Sequence, residues 1–215
     1  MTANEKEIRM FSGALESRKD EERQKTTIEG TPIVFEQKTD LGMWDEVIDR
    51  GALDKTDLRD VRLLINHDTS QLPLARSRNN NANSTMQLKP VENGMEIRVD
   101  LDIENNQDAR TLYSAVKRGD ITGMSFMFTV DKSIWEEEDS DNPLRRIAHI
   151  DKVFEVSAVA FPAYDETSLQ AASIDSAPEG GESPLESALR RELQEVRERK
   201  QTEARRRAAL EILRK

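Results

Sequence analysis

The stretch from Asn106 to Arg118 constrains the fold most, because it is the best internal helix in a chain otherwise built of short or alternating apolar runs. Ala109, Leu112, Tyr113 and Val116 recur at helical spacing on one face. Gly119 follows Lys117 and Arg118, where a helix stops. Around it the runs read as strands. Val61-Arg-Leu-Leu-Ile65 is nearly continuously apolar, as a strand buried on both faces would be. Met86–Pro90 and Met95–Ile103 are predicted to pair as a hairpin through Glu92-Asn93-Gly94, since Asn-Gly suits a tight turn. Thr27–Phe35 is a strand interrupted by Gly-Thr-Pro, which marks a bulge or an edge. Arg146–Phe161 is a long β stretch that puts Ile147, His149, Asp151, Val153 and Glu155 on one face unless a bulge intervenes. Shorter pieces are an edge strand near Ile8, Met10 and Phe11, an exposed segment Leu15–Lys25, an extended piece Trp44–Ile48 and a short helix Ala52–Asp60.

After Thr167 the composition shifts to Ala, Ser, Pro and Gly as far as Ser183, the signature of a flexible linker. Pro184 then opens a charged helix expected to reach Lys215, with Leu185, Leu189, Leu193, Val196 and Leu210 as a thin apolar stripe. Residues 184–215 carry a net charge of +4, against −10 for the whole chain, so the tail reads as a separate module. It could be a coiled-coil or partner helix, or a removable extension. The expected divisions are a domain over 1–168, a linker over 169–183 and a helical tail over 184–215.

The chemistry that can be carried is limited. With no cysteine, disulfides, thiolate nucleophiles and Cys-based zinc sites are excluded. The negative charge argues against a nucleic-acid-binding body. No run of about 18 apolar residues is present to span a membrane, and no apolar h-region follows Met1, so a soluble cytoplasmic protein is expected. The acidic run 136–143 reads as a solvated hairpin turn rather than a metal site. His67 and His149 stand 82 positions apart with no His-Glu-x-x-His helix, a weak set of metal ligands. No cofactor or metal is expected.

One stretch suggests catalysis: Asp120-Ile-Thr-Gly-Met-Ser-Phe-Met-Phe-Thr-Val130. Gly123, two residues before Ser125, lets the backbone approach another chain closely. A serine hydroxyl needs a base to become a nucleophile, and the chain holds only the two histidines. His67 follows the buried Val61–Ile65 strand, a rigid mount beside a cleft, or else a simple turn position. Glu155 lies within Val-Phe-Glu-Val-Ser-Ala-Val-Ala-Phe, where a buried carboxylate needs a partner. That partner could be a histidine ring or an ordinary Arg or Lys.

With these pieces in place the chain resembles the prohead (capsid maturation) proteases of tailed bacteriophages. The matching stretches are Thr27-Ile-Glu-Gly-Thr-Pro-Ile-Val-Phe35, Asp49-Arg-Gly-Ala-Leu-Asp54, Leu64-Ile-Asn-His-Asp68, Arg118-Gly-Asp-Ile-Thr-Gly-Met-Ser-Phe-Met-Phe128 and Phe154-Glu-Val-Ser-Ala-Val-Ala-Phe-Pro-Ala-Tyr164. They occur in the family's order over roughly residues 5–168. Pro73-Leu-Ala-Arg76 departs from the Pro-Leu-Gly-Arg expected there. The family is similar in fold and plan to the herpesvirus assemblins, which use Ser with two His. The resemblance implies an α+β fold: a mainly antiparallel closed or partly closed β-barrel with flanking helices, followed by the tail. It implies Ser125 as nucleophile, His67 as base and Glu155 as third member, with His149 as the alternative third member. It further implies a serine endopeptidase that cuts the scaffold segment of the major capsid protein, and itself, inside the assembling prohead in the host cytoplasm. The tail helix offers a route to oligomers or to the scaffold. The competing reading is an inactive scaffold or assembly protein that retains the fold.

Overall fold

The computed structural model describes residues 6–11, 15–20, 25–160 and 184–213. The expected linker and the Phe161-Pro162-Ala163-Tyr164 segment lie outside them. Two sheets pack on one apolar core. The smaller runs β2 (Leu15–Asp20), β3 (Lys25–Val34), β9 (Gly94–Leu101), β8 (Met86–Val91), all antiparallel. The larger runs β1 (Lys6–Phe11), β10 (Gly123–Glu136), β11 (Leu144–Val159), β5 (Asp45–Ile48), β4 (Thr39–Asp40). β6 (Arg62–Ile65) also pairs with β11, and β7 (Ala75–Arg76) with β6. β5 and β6 run parallel to β11, at 144–147 and 155–158. Helix α1 (Gln107–Arg118) joins β9 to β10, capped by the Asn106 side chain and by Gly119 in the left-handed region. Its Ala109, Leu112 and Val116 enter the core beside Ile28, Ile33, Met95 and Val99 of the small sheet and Phe126 and Phe128 of the large one.

The fold class is α+β, as expected, but among the described residues no closed barrel forms. Closure would require a backbone ladder joining the two edges of the large sheet. Side chains span part of the gap instead. In ladder order β1 is separated from β5 by β10 and β11, yet Glu7 and Arg9 meet Glu46 and Arg145 in a buried quartet, so the sheet curls steeply. Burial would push the Glu7 carboxyl up. The adjacent Arg145 and Arg9 guanidiniums outweigh this and hold it below its ordinary value.

β11 does not alternate simply. Ile147, Ile150, Val153 and Val156 are each fully buried, at three-residue spacing. The register against β10 shows why: Ala148, Asp151 and Phe154 are extra residues, each shifting the following side chains to the other face. The single face expected for Ile147, His149, Asp151, Val153 and Glu155 is therefore broken, and Asp151 is exposed.

Other expectations are also corrected. The β8–β9 hairpin forms, but Val91 pairs with Gly94, so Glu92 and Asn93 make the turn. Gly94 is needed for a different reason: a Cβ there would stand 1.9 Å from the Ile33 carbonyl oxygen. The predicted helix at Ala52–Asp60 is instead a run of turns as far as Lys55, with bonds such as Asp54 N–H to Gly51 C=O, followed by a bridge from Asp57 to Lys152 of β11. Leu15–Asp20 is strand β2, with Leu15 buried against the core. The predicted bulge of β3 is present, between Gly30 and Ile33.

The tail is helical as expected, forming α2 (Pro184–Leu213). Its Leu189 and Leu193 are buried against Leu41, Trp44 and Trp135. Glu192 accepts from the Ser133 hydroxyl at 2.7 Å, and Lys200 pairs with Glu138 at 2.7 Å. Glu138 belongs to the acidic loop expected to be a solvated turn, yet it is buried beneath the helix.

Candidate active site

The site is built on three adjacent strands of the large sheet. Ser125 on β10 stands directly opposite Ser157 on β11, and Met127 opposite Glu155. Paired residues project from the same face, as do positions two apart. Ser125, Glu155 and Ser157 therefore share one face. Ser157 in turn pairs with Leu64 of β6. At successive strand spacings of roughly 4.8 Å, the end of β6 lies two strands, about 10 Å, from Ser125.

The turn after β6 then folds back over β11. Asn66 and His67 both hold left-handed backbones, with φ of 49° and 59°, conformations sparsely populated by residues other than Gly. Hydrogen bonds hold this turn. Asn66 N–H donates to the Ala158 carbonyl, Asn66 Oδ1 accepts from Ala160 N–H, and His67 N–H donates to Ser157 Oγ at 3.1 Å. The result places His67 Nδ1 2.5 Å from Glu155 Oε1. Glu155 Oε2 accepts from the Ser157 hydroxyl at 2.6 Å.

Glu155 is 3% exposed. Its partner is therefore the histidine, not the Arg or Lys of the alternative reading. A carboxylate beside Nδ1 favours the tautomer of a neutral imidazole that carries its proton there, which turns a lone pair outward at Nε2. His67 Nε2 is buried and has no hydrogen-bond partner among the described residues. The Ser125 hydroxyl is also fully buried and donates to the Arg9 carbonyl of β1 at 2.8 Å. A half-buried histidine bonded to a buried carboxylate, with Nε2 unpaired and a buried serine on the same sheet face as that carboxylate, has the parts of a proton-transfer site for acyl chemistry. The profile of the caudovirus prohead serine protease family matches residues 13–179. The chain belongs to that family. No curated protein and no solved structure matched it.

Membership in the prohead protease family makes the chain a serine protease of phage capsid maturation, with capsid proteins as its field of action. The match covers all three residues just described. It also covers His149, which the structure places elsewhere. His149 lies six residues before Glu155 on β11, beyond the bulges at Asp151 and Phe154, and its Nδ1 is 2.9 Å from Asp131 Oδ2. Among the described residues no group of three or more His, Asp or Glu converges as metal ligands, and no helix is long and apolar enough to cross a membrane.

Two features of the candidate site lie outside what the sequence predicts. Ser157 stands within the Phe154–Tyr164 stretch, where no role is expected of it. Its signal was its place two residues after Glu155, on the same strand face. The Glu7–Arg9–Glu46–Arg145 quartet anchors the strand whose carbonyl holds Ser125. Charges inside strand-like runs hinted at it, but nothing in the sequence paired them.

Proposed function

We propose that the chain is a serine endopeptidase that cuts scaffold or capsid-protein segments, and itself, in the assembling prohead. Ser125 is the nucleophile, His67 the general base and Glu155 the residue that orients it. The observation that carries this reading is the 2.5 Å His67–Glu155 contact with Nε2 left open beside the Ser125 strand. In the reaction the Ser125 side chain turns from the Arg9 carbonyl towards His67. As Ser125 Oγ bonds to the peptide carbonyl carbon, its proton passes to Nε2. Glu155 stabilises the imidazolium, which then gives that proton to the departing amine. Water, activated by the same imidazole, hydrolyses the acyl-enzyme and restores Ser125.

Self-cutting would fall within 170–183, a segment of small residues of the kind proteases favour. The tail helix is the scaffold tether in this reading, and it would use the faces of α2 turned away from Trp44 and Trp135. The complete burial of Ser125 favours a second reading, an inactive assembly protein that keeps the fold. Intact mass of the wild type beside Ser125→Ala, each expressed alone and with its capsid protein, separates the two. The protease reading requires discrete shortening of chain or capsid protein in the wild type and none in Ser125→Ala. Identical masses in both, with capsid protein present, would establish the inactive reading.

A further inference from the structure

Ser157 touches both members of the His67–Glu155 contact. Its single oxygen makes two bonds in different directions. The hydroxyl proton goes to Glu155 Oε2 at 2.6 Å, and a lone pair takes the His67 backbone N–H at 3.1 Å. The first bond fixes the rotation of the carboxylate. With Oε2 engaged, Oε1 faces Nδ1. The second bond holds the backbone of His67 at a φ of 59°, a conformation that the surrounding structure must stabilise. Ser157 is itself fully buried in β11, so no solvent competes for either bond. Its position is set by pairing on both sides, with Ser125 of β10 and Leu64 of β6.

We infer that Ser157 is a positioning residue of the proposed protease site, acting through both His67 and Glu155 to keep the imidazole proton on Nδ1 and Nε2 open towards Ser125. The inference rests on the catalytic reading above. Ser157 is not a second nucleophile. Its proton is committed to a carboxylate, a weaker base than imidazole, and the open nitrogen of His67 is not its partner. With the serine removed, Glu155 keeps one partner fewer and is free to rotate. The left-handed turn also loses a bond, and the ring no longer has one preferred tautomer.

The test uses the full chain labelled with 15N-histidine, in which only two imidazoles contribute signals. Ring nitrogen shifts at neutral pH report which nitrogen carries the proton, and His149→Asn assigns the two rings. A fluorophosphonate probe reports serine reactivity, with the labelled residue located by peptide mass. The wild type and Ser125→Ala should both show His67 protonated at Nδ1. Ser157→Ala should show a mixture of tautomers, with labelling of Ser125 slowed roughly 10- to 100-fold, the loss of one hydrogen bond to a charged group. Ser157→Cys, which keeps the shape but has only a weak donor, should fall between the two and serves if the alanine variant does not fold. An unchanged tautomer in a folded Ser157 variant would overturn the inference, as would label found on Ser157. Labelling that persists in Ser125→Ala at another residue would defeat the catalytic reading. A tautomer shift in Ser157→Ala would still establish the positioning of His67.

Discussion

Replacing Arg145 with Met tests how the curled sheet, and with it the strand that holds Ser125, is kept in place. Arg145 is 2% exposed and donates from Nη1 to Glu7 Oε2 at 2.7 Å and Glu46 Oε2 at 3.0 Å, and from Nη2 to Glu7 Oε1 at 3.0 Å. The quartet is neutral with two Arg and two Glu. Without Arg145, two buried carboxylates share the single guanidinium of Arg9. Breaking a buried pair in this way costs about 3–5 kcal/mol, because a charge stays buried without compensation. For a chain of this size each kcal/mol lowers Tm by roughly 2–4 °C, so a drop of roughly 6–20 °C is expected by circular dichroism. The double variant Arg145→Met with Glu7→Gln leaves a neutral Arg9–Glu46 pair. It should recover at least half of that loss, a coupling of about 2 kcal/mol in a double-mutant cycle. The cost should be nearly the same in low and high salt, since buried pairs are little screened. A loss below about 1 kcal/mol, or one that disappears in high salt, would show that the quartet is wet and does not hold β1 to β5.

Three further outcomes follow from the structure. Gly94→Ala should strongly destabilise or prevent folding, because the new methyl meets backbone at Ile33 and no rotamer relieves it; chemical denaturation beside an Asn93→Ala control measures this. Leu193→Ala should loosen α2 and red-shift the emission of Trp44 and Trp135, the only two tryptophans, which pack 5.9 Å apart beneath that helix. An unchanged spectrum would mean the helix does not depend on this contact. Stability should be level above about pH 4.5, the ordinary value for Glu7, and fall as pH drops through its lowered value in the fold, where protonation removes the attraction to Arg145 and Arg9. Urea midpoints from pH 7 to 3 test the sign: a rise on acidification would refute it.

Much of the candidate site was legible in one dimension. Ser125, His67 and Glu155 each sit in a local pattern whose chemistry can be argued residue by residue, and helix α1 announced itself by spacing and by its capping residues Asn106 and Gly119. Strand identity came through for β6, β8, β9 and β10 because alternation and apolar runs are local properties. The failures were non-local. The bulges at Ala148, Asp151 and Phe154 arise from register against β10, and no residue in β11 signals them alone. Gly94 looked like a turn glycine until Ile33, distant in sequence, was found against it.

The sequence by itself determined the residue types that can do chemistry, the helix α1, several of the strands and the helical character of the charged tail, since these depend on neighbours along the chain. Only the tertiary structure decided that the large sheet curls without closing, that His149 turns to Asp131 while His67 turns to Glu155, and that Ser157 joins the latter pair. The physical reason is that a hydrogen bond or an ion pair requires two groups a few ångströms apart. In a β protein those groups are brought together by strand pairing between segments as far apart in sequence as residues 62–65 and 155–158.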